Sequence, residues 1–380
     1  MLASSVITTL AALVRINSVN SSYEGGPGEG EIAAWVRRFF EQRGIEVWEQ
    51  EVLPGRPNVI ARLPGRDPAR KIILEAHMDT VSVRGMTIPP FEPRIADGKL
   101  YGRGACDTKG GLAAMMEAVA GVKADGLTPP CDVWLAAVVD EEFSYRGVVH
   151  LCQGLSADAA IVAEPTGLRA VRASKGVLRW RIRVQGKSAH SGKPELGVNA
   201  INHMARVVLA LEEDHQRLAD ARHPLLGPAT CNVGIIQGGV QVNFVPDQCT
   251  IEVDRRLLPG EKPEAVRAHY QKIIDRLQQR HPTLVAVMEP PMLTDEALAT
   301  PVDAAVVQHA SAVLSQLNLD PLPCGVPFGS DASKLSRQGV PSIVFGPGNI
   351  DHAHAAVEFV DLEEVEQAVK FYREFILRFK

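Results

Sequence analysis

The chain has 380 residues, 46% of them hydrophobic and 22% charged, and a formal net charge of -5. Those values fit an ordinary soluble globular protein, long enough to prefer two cores over one. A mildly acidic chain with no Lys/Arg-rich block makes a poor partner for nucleic acid or an anionic membrane, and both are excluded.

The N-terminal stretch places Val6, Leu10, Leu13 and Val14 on one helical face. No positive charge precedes it and no clean cleavage site follows, so it reads as a helix and not a secretory leader. No run reaches bilayer-spanning length. Next come a helix over Glu31–Gly44, strands over Asn58–Gly65 and Lys71–Asp79, a buried helix over Thr108–Gly126, and strands over Asp132–Val139 and Ala159–Ala163. Helices alternating with nearly all-apolar strands predict a mostly parallel central sheet flanked by helices.

At Lys175 the pattern changes. Leu178, Trp180, Ile182 and Val184 alternate with Arg179, Arg181 and Arg183, as in a sheet with one wet face. A helix, two strands, a second helix and a strand complete a β-α-β-β-α-β order, that of a ferredoxin-like α+β module. After Pro290 the first texture returns, with a helix, the buried strand PSIVFGPG and a closing amphipathic helix. The expected architecture is an α/β domain, residues 1–174 and 290–380, interrupted by a smaller one, residues 175–289. Cys106, Cys131, Cys152, Cys231, Cys249 and Cys324 form no CxxC pair and sit in or beside apolar segments. They predict free thiols in a reducing, cytoplasmic setting.

Acids and histidines gather where predicted strands end. His77 and Asp79 follow KIILEA, Asp140, Glu141 and Glu142 follow DVWLAAVV, Glu164 follows AAIVA, and His354 follows PSIVFGPG. Asp107 precedes the buried helix in YGRGACDTKGG. Each has an ordinary reading on its own: a satisfied structural His, a helix cap, a solvated acidic turn. The glycines there lack the phosphate-loop spacing. Open α/β sheets, however, bind ligands beyond the carboxyl ends of their strands, so these residues can share one edge.

Two imidazoles with several carboxylates suit zinc, cobalt or manganese. If Asp107 bridges two divalent ions, His77 and Glu164 complete one set and Glu142 and His354 the other. Three carboxylates against two dications leave one positive charge, which a hydroxide nucleophile neutralises. Consecutive residues leaving a strand point in different directions. Glu142 is therefore assigned as ligand, Glu141 as general base, and Asp140 as structural. Asp79 is placed to accept the His77 N–H and fix its tautomer.

LEAHMDTV, YGRGACDTKGG, VDEEFSYRG, VAEPT and FGPGNIDHAHAAVEFV together resemble the co-catalytic zinc amidohydrolases. That family includes acetylornithine deacetylase, succinyl-diaminopimelate desuccinylase, aminoacylase and glutamate carboxypeptidase. The resemblance implies the same metal ligands, His77, Asp107, Glu142, Glu164 and His354, with His352 outside the set, and a cis peptide at Asp107–Thr108. It implies that the inserted domain is a lid through which a homodimer forms. It also implies that His190, from the partner's lid, steadies the oxyanion, and that Asn243 and Arg256 (rather than Arg255) hold a substrate carboxylate. Gly329 and Ser330 form a further contact loop, beside which Asp331 is either a helix N-cap or a contact for a basic substrate group. The implied reaction is two-metal hydrolysis of the amide in a small N-acyl amino acid. The near alternative is a metallo-carboxypeptidase or dipeptidase; a remote one is a non-catalytic binding protein on the same fold.

Overall fold

A computed structural model describes residues 4–379. The chain divides into two units. Among the described residues the larger comprises 4–172, 299–324 and 330–379, and the smaller 173–298 and 325–329.

In the larger unit the centre of the sheet is four mutually parallel strands, ordered Cys131–Val138, Asp67–His77, Ala159–Val162, Ser342–Val344. Apart from the exposed first half of Asp67–His77 and the buried Glu75, their side chains are mostly apolar and buried on both faces, as parallel strands require. Two strands, Glu46–Leu53 and Arg56–Leu63, extend one side antiparallel, so the sheet is mixed and not parallel throughout. Helix Lys109–Ala124 is buried along most of its length, packed against helices Ser5–Arg15 and Leu362–Arg378. Gly111 lets it approach the sheet closely: a Cβ there would lie 2.7 Å from the Ala163 Cβ.

The smaller unit is an antiparallel sheet in the order Thr230–Gly238, Gln248–Leu257, Gly176–Gln185, Val285–Met288. Trp180, Ile182 and Val184 point into a core shared with Met204, Val207 and Tyr270 of helices Ala200–Leu218 and Pro263–Arg280. On the wet face Arg179, Arg181 and Arg183 meet Asp254, Glu252 and Glu289 at 2.6, 2.8 and 2.9 Å. These arginines are neutralised by their neighbours and mark no contact surface by their charge. The unit runs past the expected boundary at residue 289, because Leu293–Asp295 pairs with Arg179–Val177. It also takes in Gly325–Gly329, where the Lys175 N–H donates to the Val326 carbonyl at 3.2 Å.

Candidate metal centre

Parallel strands end on one side, and the fold delivers the candidate ligands there. His77 is the last residue of Asp67–His77; Glu141 and Glu142 follow Cys131–Val138; Glu164 follows Ala159–Val162; His354 lies beyond Ser342–Val344. Asp107 precedes helix Lys109–Ala124, and the Asp107–Thr108 peptide is cis.

Asp107 presents one carboxylate oxygen to each imidazole. Its Oδ1 lies 3.1 Å from His77 Nε2 and its Oδ2 lies 3.2 Å from His354 Nε2. His354 Nε2 is also 2.9 Å from Glu142 Oε1. Ligand atoms of His77, Asp107 and Glu142 lie within 4.8 Å of one another, and so do those of His77, Glu141 and Glu164. The structure thus gathers all six residues, and it sets Glu141, the expected base, beside His77 and Glu164. His354 adopts φ 56° and is half-exposed, whereas His77, Asp107 and Glu164 are buried.

Side chains behind this cluster fix its shape. His77 Nδ1 lies 3.0 Å from the Asp79 carbonyl and 3.5 Å from its Oδ1. The Asp79 carboxylate accepts the Glu141 and Glu142 N–H groups, each at 3.1 Å, and the Asn20 amide at 2.7 Å. Asp140, at φ 66°, accepts from Asn20, Ser144, Arg146 and Arg56. Arg56 is paired in turn with the fully buried Glu29. The acidic turn after DVWLAAVV is therefore pinned by its first residue, leaving the next two to face the cluster.

Burial would raise the Asp107 carboxyl, but hydrogen bonds from His354 and His77 outweigh it and hold the group below the usual range. Burial and the Asp107 charge push Glu142 up to about 7, and burial with nearby carboxylates drives Glu141 and Glu164 well up. Burial works against protonated His354, yet Asp107 and Glu142 raise it to about 11. The same balance raises His77. So many buried carboxylates cannot all ionise without compensating cations. The nitrogen and oxygen donors suit borderline divalent metals, so this residue set fits a metal pair.

The expected substrate contacts divide between the units. In the smaller one, exposed His190 is paired in register with Phe244, and the Ser191 N–H donates to the Asn243 carbonyl at 3.0 Å, which makes His190 and Asn243 neighbours. Arg255 is buried against Glu261 at 2.5 Å, while Arg256 is part-exposed and 2.8 Å from Asp254. A Cβ on Gly329 would lie 2.5 Å from Asp295 Oδ2, so any side chain there would have to displace that carboxylate. In the larger unit, Ser330 is buried and its carbonyl accepts from Lys334 Nζ at 3.0 Å. Asp331 makes no side-chain cap and offers no exposed contact; it is buried beside Glu75. The His352 ring lies 4.1 Å from that of Phe359.

Sequence reasoning missed Arg103, Glu358 and Asn20. Glu358 was visible in AHAAVEFV, but nothing in the sequence pairs it with Arg103, 255 residues away, at 2.5 Å.

Residues 73–378 match the family model described as peptidase family M20/M25/M40. An acetylornithine deacetylase of Myxococcus xanthus is 34% identical over 337 residues, covering 87% of this chain and 83% of that one. The N-formyl-4-amino-5-aminomethyl-2-methylpyrimidine deformylase of Bacillus subtilis is 25% identical, covering 91% and 88%. Among solved structures, aminopeptidase PepT from Bacillus cereus shares the fold with a TM-score of 0.80 at 24% identity, covering 98% of this chain and 97% of that one. Human carnosine dipeptidase 1 does so with a TM-score of 0.75 at 17% identity, covering 98% and 95%. The mixed sheet, the smaller antiparallel unit, the clustered histidines and carboxylates and these likenesses agree: the chain belongs to peptidase family M20/M25/M40 and is a metal-dependent amidohydrolase.

Proposed function

We propose that this enzyme removes the acyl group from a small N-acyl amino acid, using a pair of divalent cations, zinc in the first instance with cobalt or manganese as substitutes. The observation that carries the reading is Asp107, whose two oxygens each face a different imidazole. His77 and Glu164 would hold one ion, Glu142 and His354 the other, with Asp107 between. The named relatives, a deacetylase and a deformylase, support acyl removal from nitrogen. When bound, such ions polarise a carbonyl and make water nucleophilic near neutral pH.

The chain's own groups do the rest. Glu141 takes a proton from the attacking water and returns it to the leaving nitrogen. Asp79 keeps His77 oriented. Arg256 and Asn243 hold the substrate carboxylate, Arg256 through its planar fork, and Gly329 and Ser330 line the contact loop. His190, supplied by the lid of a second subunit, stabilises the oxyanion. The test is a panel of N-acetyl, N-formyl and N-succinyl amino acids against dipeptides, before and after chelation and metal return. Acyl amino acids are expected to be turned over faster, with activity lost on chelation and restored by zinc. Faster cleavage of dipeptides would favour the carboxypeptidase or dipeptidase reading; no turnover of either class by the metal-loaded protein would leave only a binding protein.

A homodimer through the smaller unit is supported by its edge strand Thr230–Gly238, where Ile235 and Ile236 are exposed. An unpaired edge with apolar side chains is a template for a second copy. Ile236→Lys is expected to sediment as a monomer with reduced kcat and unchanged metal content. A monomeric wild type with full activity would remove this part. The free thiols support a cytoplasmic setting. Among the described residues no helix is long and apolar enough to cross a membrane.

Metal uptake should depend on pH. Without cations, His77 and His354 are held protonated well above their usual range and Glu142 titrates near 7. Cations must displace those protons. Apparent affinity is therefore expected to rise with pH through about 7, where Glu142 titrates, and to go on rising toward about 11, where His354 does. Calorimetric titrations in buffers of different ionisation enthalpy would reveal the released protons, and equal heats in both would contradict the assignment.

A further inference from the structure

Two buried carboxylates outside the proposed ligand set grip the backbones of ligand-bearing loops. Asp79 does so for Glu141 and Glu142, as described. The second is Glu358, whose Oε1 accepts the N–H groups of Cys106 at 3.0 Å and Asp107 at 3.1 Å. Its Oε2 accepts from Arg103 at 2.5 Å, and Arg103 in turn donates to the Ser82 carbonyl at 3.0 Å. Glu358 is fully buried and Arg103 is 2% exposed. The Gly102 N–H adds a bond to the Glu358 carbonyl at 3.1 Å.

These contacts close a ring. From the Asp107 carboxylate the path crosses to His354 at 3.2 Å and follows the chain to Glu358. It then returns through the Glu358 carboxylate to the Asp107 N–H. We infer that Glu358, neutralised by Arg103, is a positioning residue that fixes the Asp107 loop against the segment bearing His354, so that Asp107 can face both imidazoles. The inference rests on the proposed metal centre and extends it to a residue that touches neither ion nor substrate. Its physical ground is that two divergent carboxylate contacts tolerate little displacement of the Cα that carries them.

The test compares Glu358→Gln, Arg103→Lys, Asp107→Asn and Leu314→Ala in the full-length protein, by chelator competition and the visible spectrum of the cobalt-loaded enzyme. Leu314 is buried in helix Ala305–Gln316 and serves as a stability control outside the proposed ligand loops. Glu358→Gln keeps an acceptor for the two N–H groups but loses the ion pair. It is expected to bind metal about 10–100-fold more weakly, with an altered cobalt spectrum and reduced kcat at nearly unchanged KM. Arg103→Lys, which keeps the charge, should lose less, and Leu314→Ala should melt earlier with wild-type metal affinity. Glu358→Gln that melts earlier yet keeps wild-type affinity and spectrum would overturn the inference, leaving the pair a stabilising element only. If Glu358→Gln does not accumulate, unchanged affinity in Arg103→Met, which removes the charge that neutralises Glu358, overturns it instead. Asp107→Asn separates the two levels: normal metal binding there removes the centre itself and this inference with it.

Discussion

Glu141→Ala is expected to lower kcat by about 10²–10⁴-fold, the range for loss of a positioned general base, while the protein keeps its metal. Glu141 lies among donors, its carboxylate close to the His77 imidazole and the Glu164 carboxylate, so a ligand role is the serious competitor. Two observations favour the base. Glu142, not Glu141, contacts His354. Burial and the nearby Asp331, Glu142 and Asp107 carboxylates hold Glu141 well above the usual carboxylate range, outweighing His77. A carboxylate so raised is a stronger proton acceptor than an ordinary one, as a general base requires. Metal analysis of the purified variant decides: metal retained with turnover lost supports the base, whereas metal lost as in Asp107→Asn makes Glu141 a ligand.

Arg56→Met is expected to have the largest effect on stability, about 3–5 kcal/mol, the usual cost of removing one partner from a buried ion pair. Arg56 is the guanidinium between Glu29 and Asp140, both fully buried. Asp140 would keep Arg146, Ser144 and Asn20, but Glu29 would lose its ion-pair partner. Burial already raises Glu29 despite Arg56, so in the variant it relieves its charge by taking a proton. That protonated form is more available at low pH, so the destabilisation should grow as pH rises. Thermal melts at pH 6 and pH 8.5 would show this, and a loss no larger at pH 8.5 would contradict it. Because the Asp140 turn carries Glu141 and Glu142, activity should fall before global unfolding.

Much of the candidate site was legible because ligand-type residues lie at the ends of apolar runs, and parallel strands bring such ends together whatever their separation along the chain. His77, Glu142 and Glu164 needed only that rule. Asp331 does stand at the N-cap position of helix Ala332–Arg337, but its side chain makes no cap, and sequence does not report that Glu75 occupies the adjoining space. The antiparallel edge strand Glu46–Leu53 escaped because it is half-exposed and lacks the apolar run of a central strand. The late boundary of the smaller unit depends on a three-residue strand, Leu293–Asp295, whose partner is remote in sequence. Glu358 and Arg103 illustrate the same gap: each is an ordinary charged residue until the fold places one against the other.

The distance along the chain between partners has a further consequence for biogenesis. Glu142 and His354 meet across 212 residues, and Glu358 lies later still. On the proposed assignment a nascent polypeptide therefore presents His77, Asp107 and Glu164 early, while the second set waits for His354. If the proposed pair of cations is right, the second can be held only once the last residues have emerged, and native mass spectrometry of protein made under metal starvation would count the incompletely loaded form.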